Sequence, residues 1–209
     1  MLELWYERWM DNFLNIETED VREWSDRAQM RIYNRTEATP YQVLDQLFDV
    51  YEWPDRPNLV DFGCGTGRLA FYVHQYFNIP VTGLEFNQDV FPDLLENLRR
   101  YRSVFAVSDG ELNFIQEAAE NYPIQPDNNV FYFFNPFVAS VFKQVLSNIE
   151  KSLAECPRPA DIILYYPLYE WQQVMARSRF FQRIGSIPLK SIFDDEYEKF
   201  IIYHYMGKG

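Results

Sequence analysis

Two stretches and one acid carry residues of types and spacings that could do chemistry. Asp61-Phe62-Gly63-Cys64-Gly65-Thr66-Gly67 holds three glycines on alternate positions. Glycine is scarce, at 8 of 209 residues, and Gly63, Gly65, Gly67 and Gly83 lie close together. Rare, concentrated glycine marks backbone that must turn tightly or approach a ligand without Cβ interference. No Lys-Ser/Thr follows Gly67, so this is not a phosphate-cradling P-loop. Arg68 stands where a dinucleotide fingerprint needs its third glycine. Glu85, 22 residues beyond Gly63, is an acid placed to accept hydrogen bonds from ribose hydroxyls. Further on, Asn135-Pro136-Phe137 follows an apolar run. An Asn carbonyl and a neighbouring main-chain carbonyl can orient an amine for in-line attack. The same residues equally read as an Asn capping the next helix with Pro in its first turn.

Such residues need a scaffold. Residues 1 to about 50 read as helical, with Trp5, Trp9, Phe13 and Leu14 at helical spacing and Val43, Leu44, Leu47 and Phe48 likewise. Leu59 to Phe62 reads as a strand entering the glycines, and Val81 to Glu85 as a second. Leu112 to Ile115 is a third, Val130 to Phe134 a fourth buried on both faces, and Asp161 to Tyr166 a fifth. Helical faces alternate with them: Leu69, Ala70, Val73; then Val90, Leu94, Leu98; then Val138, Val141, Phe142, Val145. The tail from about 180 to 206 reads as two strands around Ile187-Pro188. Strands alternating with helices predict a parallel α/β sheet covered on both faces, whose ligands bind at the carboxyl ends of the strands. The expected organisation is one structural domain: an N-terminal helical cap, 1–50, on a core, 51–209.

Composition narrows the class. Aromatics reach 18%, which excludes intrinsic disorder. No apolar run approaches the roughly 20 residues that cross a bilayer, and the start of the chain lacks a basic n-region, so a cytoplasmic protein with no membrane partner is expected. The 2 Cys, Cys64 and Cys156, are far apart and argue against a disulfide or zinc scaffold. His74, expected on the polar side of its helix, and His204 have no metal-ligand company, so no metal is expected. The net charge of -12 repels phosphate backbones and makes nucleic acid a less favoured partner than a small molecule or a protein segment.

Val60 to Gly67 resembles motif I of the class I S-adenosylmethionine (SAM)-dependent methyltransferases, and Val81-Thr82-Gly83-Leu84-Glu85-Phe86-Asn87 is similar to their second motif. The resemblance runs from about Leu59 to the C-terminus. It implies a Rossmann-like methyltransferase sheet, mostly parallel with an antiparallel C-terminal strand, and SAM as cofactor. Asp61 and Gly63, Cys64, Gly65 and Gly67 would then lie around the methionine moiety. Glu85 would hold the ribose diol, with Phe86 on the adenine ring and Asn87 beside them. Ile115-Gln116-Glu117-Ala118 is similar to the family's acid-Ala pair, which would put Glu117 and Ala118 at the adenine amine. The alternative for Glu117 is a solvated acid at a helix start. Asn135-Pro136 matches the first half of the family's acceptor motif in amino-methyltransferases, and would be catalytic by positioning, with Asn135 also near the cofactor. Phe137 and Val138 depart from its second half, which weakens base methylation as a reading.

Four residues are candidates for acceptor binding: Thr39, Tyr41, Phe137 and Tyr166. Thr39 and Tyr41 belong to Glu37-Ala38-Thr39-Pro40-Tyr41, similar to a Thr-Pro segment that folds over the cofactor in several methyltransferases; Thr39 could instead be an N-cap. Tyr165, Tyr166, Tyr169 and Trp171 could form an aromatic wall for a cationic acceptor, or simply be core. Arg27, Arg31 and Arg35, spaced by four, would share a helix face and pair with acids such as Glu23 and Glu37. The function expected is methyl transfer to a nitrogen on a protein side chain or small molecule. RNA methylation, a non-catalytic SAM-binding module and an NAD-dependent oxidoreductase are the competing readings.

Overall fold

A computed structural model describes residues 2–189 and 195–207. Among them seven strands form one sheet in the order β3-β2-β1-β4-β5-β7-β6. The strands are β1 (Leu59–Phe62), β2 (Val81–Leu84), β3 (Leu112–Ile115), β4 (Val130–Phe134), β5 (Asp161–Tyr165), β6 (Phe181–Pro188) and β7 (Lys199–Tyr205). The first five are parallel, while β7 runs antiparallel to β5 and to β6. The helices are α1 (Leu2–Leu14), α2 (Tyr41–Phe48), α3 (Arg68–Phe77), α4 (Phe91–Arg102), α5 (Ala139–Glu155) and α6 (Tyr169–Arg177).

The side-chain period of two sorts the strand residues onto two faces. Val60, Phe62, Phe131, Phe133, Ile162 and Leu164 share one core with α5 and α6. Leu59, Val81, Val130, Tyr132, Ile163 and Tyr165 share the other with α1, α2, α3 and α4. Phe62 and Phe133 stack across β1 and β4 with centroids 4.7 Å apart. The N-terminal helices therefore belong to the same core as the sheet.

Three expectations need correction. Residues 15–40 are not helical apart from a single 3-10 turn, Gln29–Arg31. They form an irregular strap, so Arg27, Arg31 and Arg35 share no helix face. On α1, Trp5, Trp9 and Phe13 do fall on one face, but that face points outward; Met10 and Leu14 are the buried ones. The exposed rings stack on one another instead, at 6.3 and 5.9 Å. At the other end the two expected tail strands are present as β6 and β7, but Ile187-Pro188 is the end of β6 itself, and residues 190–194 of that span lie outside the described residues.

Candidate functional site

The carboxyl ends of β1, β2 and β4 meet because the order β2-β1-β4 makes them neighbours. After β1 the chain turns through Gly63 and Gly65, with φ of +77° and +57°. That left-handed region favours glycine on steric grounds alone. Both glycines also face close neighbours: a Cβ on Gly63 would sit 2.5 Å from Pro136 Cβ, and one on Gly65 2.6 Å from Thr36 Cγ2. The N–H groups of Gly63 and Cys64 donate to the Leu84 carbonyl, tying the loop to the end of β2. Gly67 then opens α3.

Glu85 lies buried against this loop. Its carboxylate accepts the N–H of Gly65 at 3.0 Å and that of Asn87 at 2.6 Å. Burial outweighs these bonds and pushes its pKa up to about 7. Asp61 is more extreme, raised to about 8 by burial and then by the Glu85 charge. Burial also pushes the Cys64 thiol up, which keeps it protonated and unreactive. The Nδ2 of Asn87 is buried without a hydrogen-bond partner. Phe86 lies against two rings of the strap, Tyr33 at 5.4 Å and Trp24 at 6.1 Å. Glu117 accepts the N–H of Ala118 and the side-chain amide of Asn121.

Asn135 immediately follows β4 in the left-handed region, φ +40°. It caps nothing: α5 starts at Ala139, after Val138. Its Oδ1 is buried and has no hydrogen-bond partner among the described residues. The main-chain oxygens beside it are engaged by the strap. Asn34 Nδ2 donates to the Asn135 carbonyl at 2.6 Å, and the Asn34 N–H to the Pro136 carbonyl at 2.9 Å. Phe137 points into the core, stacked on Trp171 at 5.4 Å.

Two adjoining cavities flank this turn. A small one, about 40 Å³, lies under the strap and is lined by Gly63, Leu84, Glu85, Phe86 and Glu117 among others. A larger one, about 660 Å³, is lined by Asn135, Phe134, Tyr165, Tyr166 and Glu198 and by the strap. Of the expected aromatic wall only Tyr165 and Tyr166 stand there. Trp171 is core, and Tyr169 is exposed elsewhere. Thr39 and Tyr41 line neither cavity. The Thr39 hydroxyl bonds the Tyr132 hydroxyl at 2.8 Å, and the Tyr41 hydroxyl donates to Asp11 at 2.6 Å. Among the described residues no group of three or more His, Cys, Asp or Glu could hold a metal, and no helix is long and apolar enough to cross a membrane.

No model of a known protein family matches the chain, and no curated protein matches it. Solved structures do. The PH0226 protein from Pyrococcus horikoshii OT3 is 14% identical over 78% of this chain and 88% of that one, with a TM-score of 0.59. An RNA methyltransferase from Salinibacter ruber, solved with S-adenosyl-L-homocysteine, is 15% identical over 82% and 94%, TM-score 0.52. The StiE O-MT, residues 961–1257, is 13% identical over 79% and 72%, TM-score 0.55. The chain has the Rossmann-like methyltransferase fold.

Onto that methyltransferase fold the N-terminal segment is fastened by a residue that sequence reasoning passed over. Arg68, the first residue of α3, is 5% exposed. Its guanidinium pairs with Glu7, donates to Thr18 Oγ1 at 2.7 Å and to the Thr39 carbonyl at 3.3 Å, and lies 4.4 Å over the Tyr41 ring. Thr18 and Thr39 bracket the strap, so one side chain next to the glycine loop holds both of its ends. The only hint in the sequence is an arginine amid apolar helix positions. His74 was likewise misjudged: it is buried, with Nδ1 2.8 Å from the Tyr101 hydroxyl and Nε2 3.4 Å from Glu111. Arg35 does pair with Glu37, as expected.

Proposed function

We propose that this chain is a SAM-dependent methyltransferase that acts on a nitrogen of a small molecule or protein side chain. The observation that carries the reading is the contact between two turns. The glycine loop, with Glu85 against it, abuts Pro136, and beside Pro136 the Oδ1 of Asn135 is buried without a partner. A glycine loop and an unsatisfied hydrogen-bond acceptor thus share one end of the sheet.

The residues fit the cofactor in kind. Gly63 and Gly65 carry the tight turn that a cofactor loop needs, Glu85 has a lone pair left on each carboxylate oxygen for a ribose diol, and Phe86 has a ring face now covered by the strap. When bound, SAM supplies a methyl group on a positively charged sulfur. With the strap down, about 40 Å³ is too little for a nucleoside, so Trp24, Tyr33 and Thr36 must move outward for it to enter. Asn135 holds the acceptor N–H, leaving the nitrogen's remaining direction free to face the methyl. The likeness to an RNA methyltransferase does not shift the choice, since a net charge of -12 opposes a phosphate backbone.

Calorimetry with S-adenosylhomocysteine and single-turnover transfer from labelled SAM into fractionated lysate test this together. Asn135→Ala should bind S-adenosylhomocysteine within about twofold of wild type. Transfer should slow at least about a hundredfold, or about 2.7 kcal/mol of barrier. Asn135 caps no helix, but alanine tolerates its left-handed backbone less well, so the melting temperature should fall by a few degrees only. Normal transfer by the folded variant would remove Asn135 from the reaction.

A further inference from the structure

Building on that reading, we infer that the acceptor is an amine or guanidine that binds as its cation in the 660 Å³ cavity beside Asn135, and that it gives one proton to a lining carboxylate such as Glu198 before its freed nitrogen lone pair takes the methyl group. The charged side chains lining the cavity are Glu23, Glu37, Glu198 and Arg35. Arg35 is already taken: its Nε and Nη2 donate to Glu37 at 3.1 and 2.8 Å. Among the described residues Glu23 and Glu198 make no ion pair, though Glu23 lies within the field of Arg35, and Asp195 stands behind Tyr166 as a further carboxylate. The walls are aromatic: Trp24, Tyr33, Phe134, Tyr165 and Tyr166. Ring faces and carboxylates attract the same kind of ligand, a cation, and the attraction grows as water is excluded.

The inner end is built from three adjacent chain segments. Phe134 pairs with Tyr165 across β4 and β5, and the Tyr166 N–H donates to the Lys199 carbonyl at the start of β7. Asn135, Tyr166 and Glu198 therefore sit side by side at this edge of the sheet. Glu198 is half-buried and accepts the Tyr165 hydroxyl at 2.5 Å. Tyr166 holds a left-handed backbone, φ +51°, and its hydroxyl donates to Asp195 at 2.7 Å. A tyrosine in that conformation is costly and persists only where its surroundings impose it. Phosphate or carboxylate ligands would meet three lining glutamates against a single lining arginine here. A neutral apolar ligand would leave Asn135 Oδ1 unsatisfied. An N–H-bearing cation answers both.

Protein side chains and free amines share this chemistry, so the probes separate them. Protein at saturating S-adenosylhomocysteine, and protein without it, is titrated by calorimetry with five compounds. N-acetyl-lysine methylamide and N-acetyl-arginine methylamide stand for side chains, and 1,5-diaminopentane for free amines. N-acetyl-norleucine methylamide and N-acetyl-glutamate methylamide are the neutral and anionic controls. At least one cation should bind at least about tenfold more tightly than both controls. Glu198→Gln keeps the shape and the oxygen that serves Tyr165. It should weaken that cation at least about tenfold, the low end of the scale of one charge-assisted hydrogen bond, with melting temperature and S-adenosylhomocysteine affinity unchanged. A control that binds as well as the cations, a Glu198→Gln protein with undiminished cation affinity, or no cation binding at all would overturn the inference. Cation binding by a protein that never takes S-adenosylhomocysteine would uphold the cavity assignment and overturn the cofactor.

Discussion

Replacing Arg68 by Met removes the one cation from a buried acidic corner while keeping much of the side-chain bulk. Glu7 would lose its ion pair, Thr18 Oγ1 and the Thr39 carbonyl would each lose a donor, and Asp11 a cation at 4.0 Å. Burial already holds the Glu7 carboxyl above its ordinary range in spite of Arg68. Breaking a buried pair from one side costs about 3–5 kcal/mol, because the other charge stays behind. In a chain of this size each kcal/mol lowers the melting temperature by about 2–4 °C, so a fall of about 10 °C is expected. Glu7→Gln in the same chain removes the stranded charge and should recover at least about a third of the loss. The fastening of both strap ends adds a functional readout: affinity for S-adenosylhomocysteine should fall with Arg68→Met and rise again in the double variant. Urea denaturation and calorimetry on the four proteins of this cycle supply the numbers. A single-variant loss under about 1 kcal/mol, or no recovery on adding Glu7→Gln, would refute the account of Arg68 as a buried pin.

Gly65→Val should weaken S-adenosylhomocysteine at least about tenfold, or about 1.4 kcal/mol, since its Cβ would meet Thr36 in a left-handed turn; equal affinity in the folded variant would show the loop is not the cofactor's. Asp61 and Glu85 titrate at about 8 and about 7 in the folded protein, against ordinary values of 3.8 and 4.5. The folded state therefore holds their protons more tightly than the unfolded chain, and stability falls as pH rises from about 4 to about 8. Asp61→Asn should flatten that slope, so its melting temperature should gain on wild type between pH 5 and 8; parallel curves would contradict the assignment.

What was legible in the sequence was local. The short, mostly apolar run Leu59 to Phe62 ahead of the glycines and the unbroken apolar run Val130 to Phe134 carry their own strand signal, and the structure places both strands where that signal put them. Gly63 and Gly65 announced a turn that only glycine takes comfortably. The strap was not legible because nothing near it in sequence determines it. Trp24 and Tyr33 are buried against Phe86, and Asn34 bonds the turn after β4, so its shape comes from residues far along the chain. Arginines spaced by four gave a helical rhythm with no apolar face behind it. The Asn135-Pro136 pair was visible, but whether it capped a helix or lay open to a cleft depended on where α5 began.

The strap's long reach also fixes the order in which the molecule is put together. Asn34 and Asn135 are 101 residues apart in the chain, and Ser25 and Asp89 are 64 apart. Such contacts have no partner until β1, β2 and β4 have already associated. The strap is thus the last section to dock, and it docks through one isolated bridge, Tyr33 with Phe137, not through a ladder; its other bridge, Arg22 with Thr36, joins two of its own residues. What assembles last on so few main-chain bonds is also released first, at a free-energy cost well below that of melting the sheet. The groove over the glycine loop is a finished surface before its roof arrives, and the roof can open and reclose many times within the life of one folded molecule.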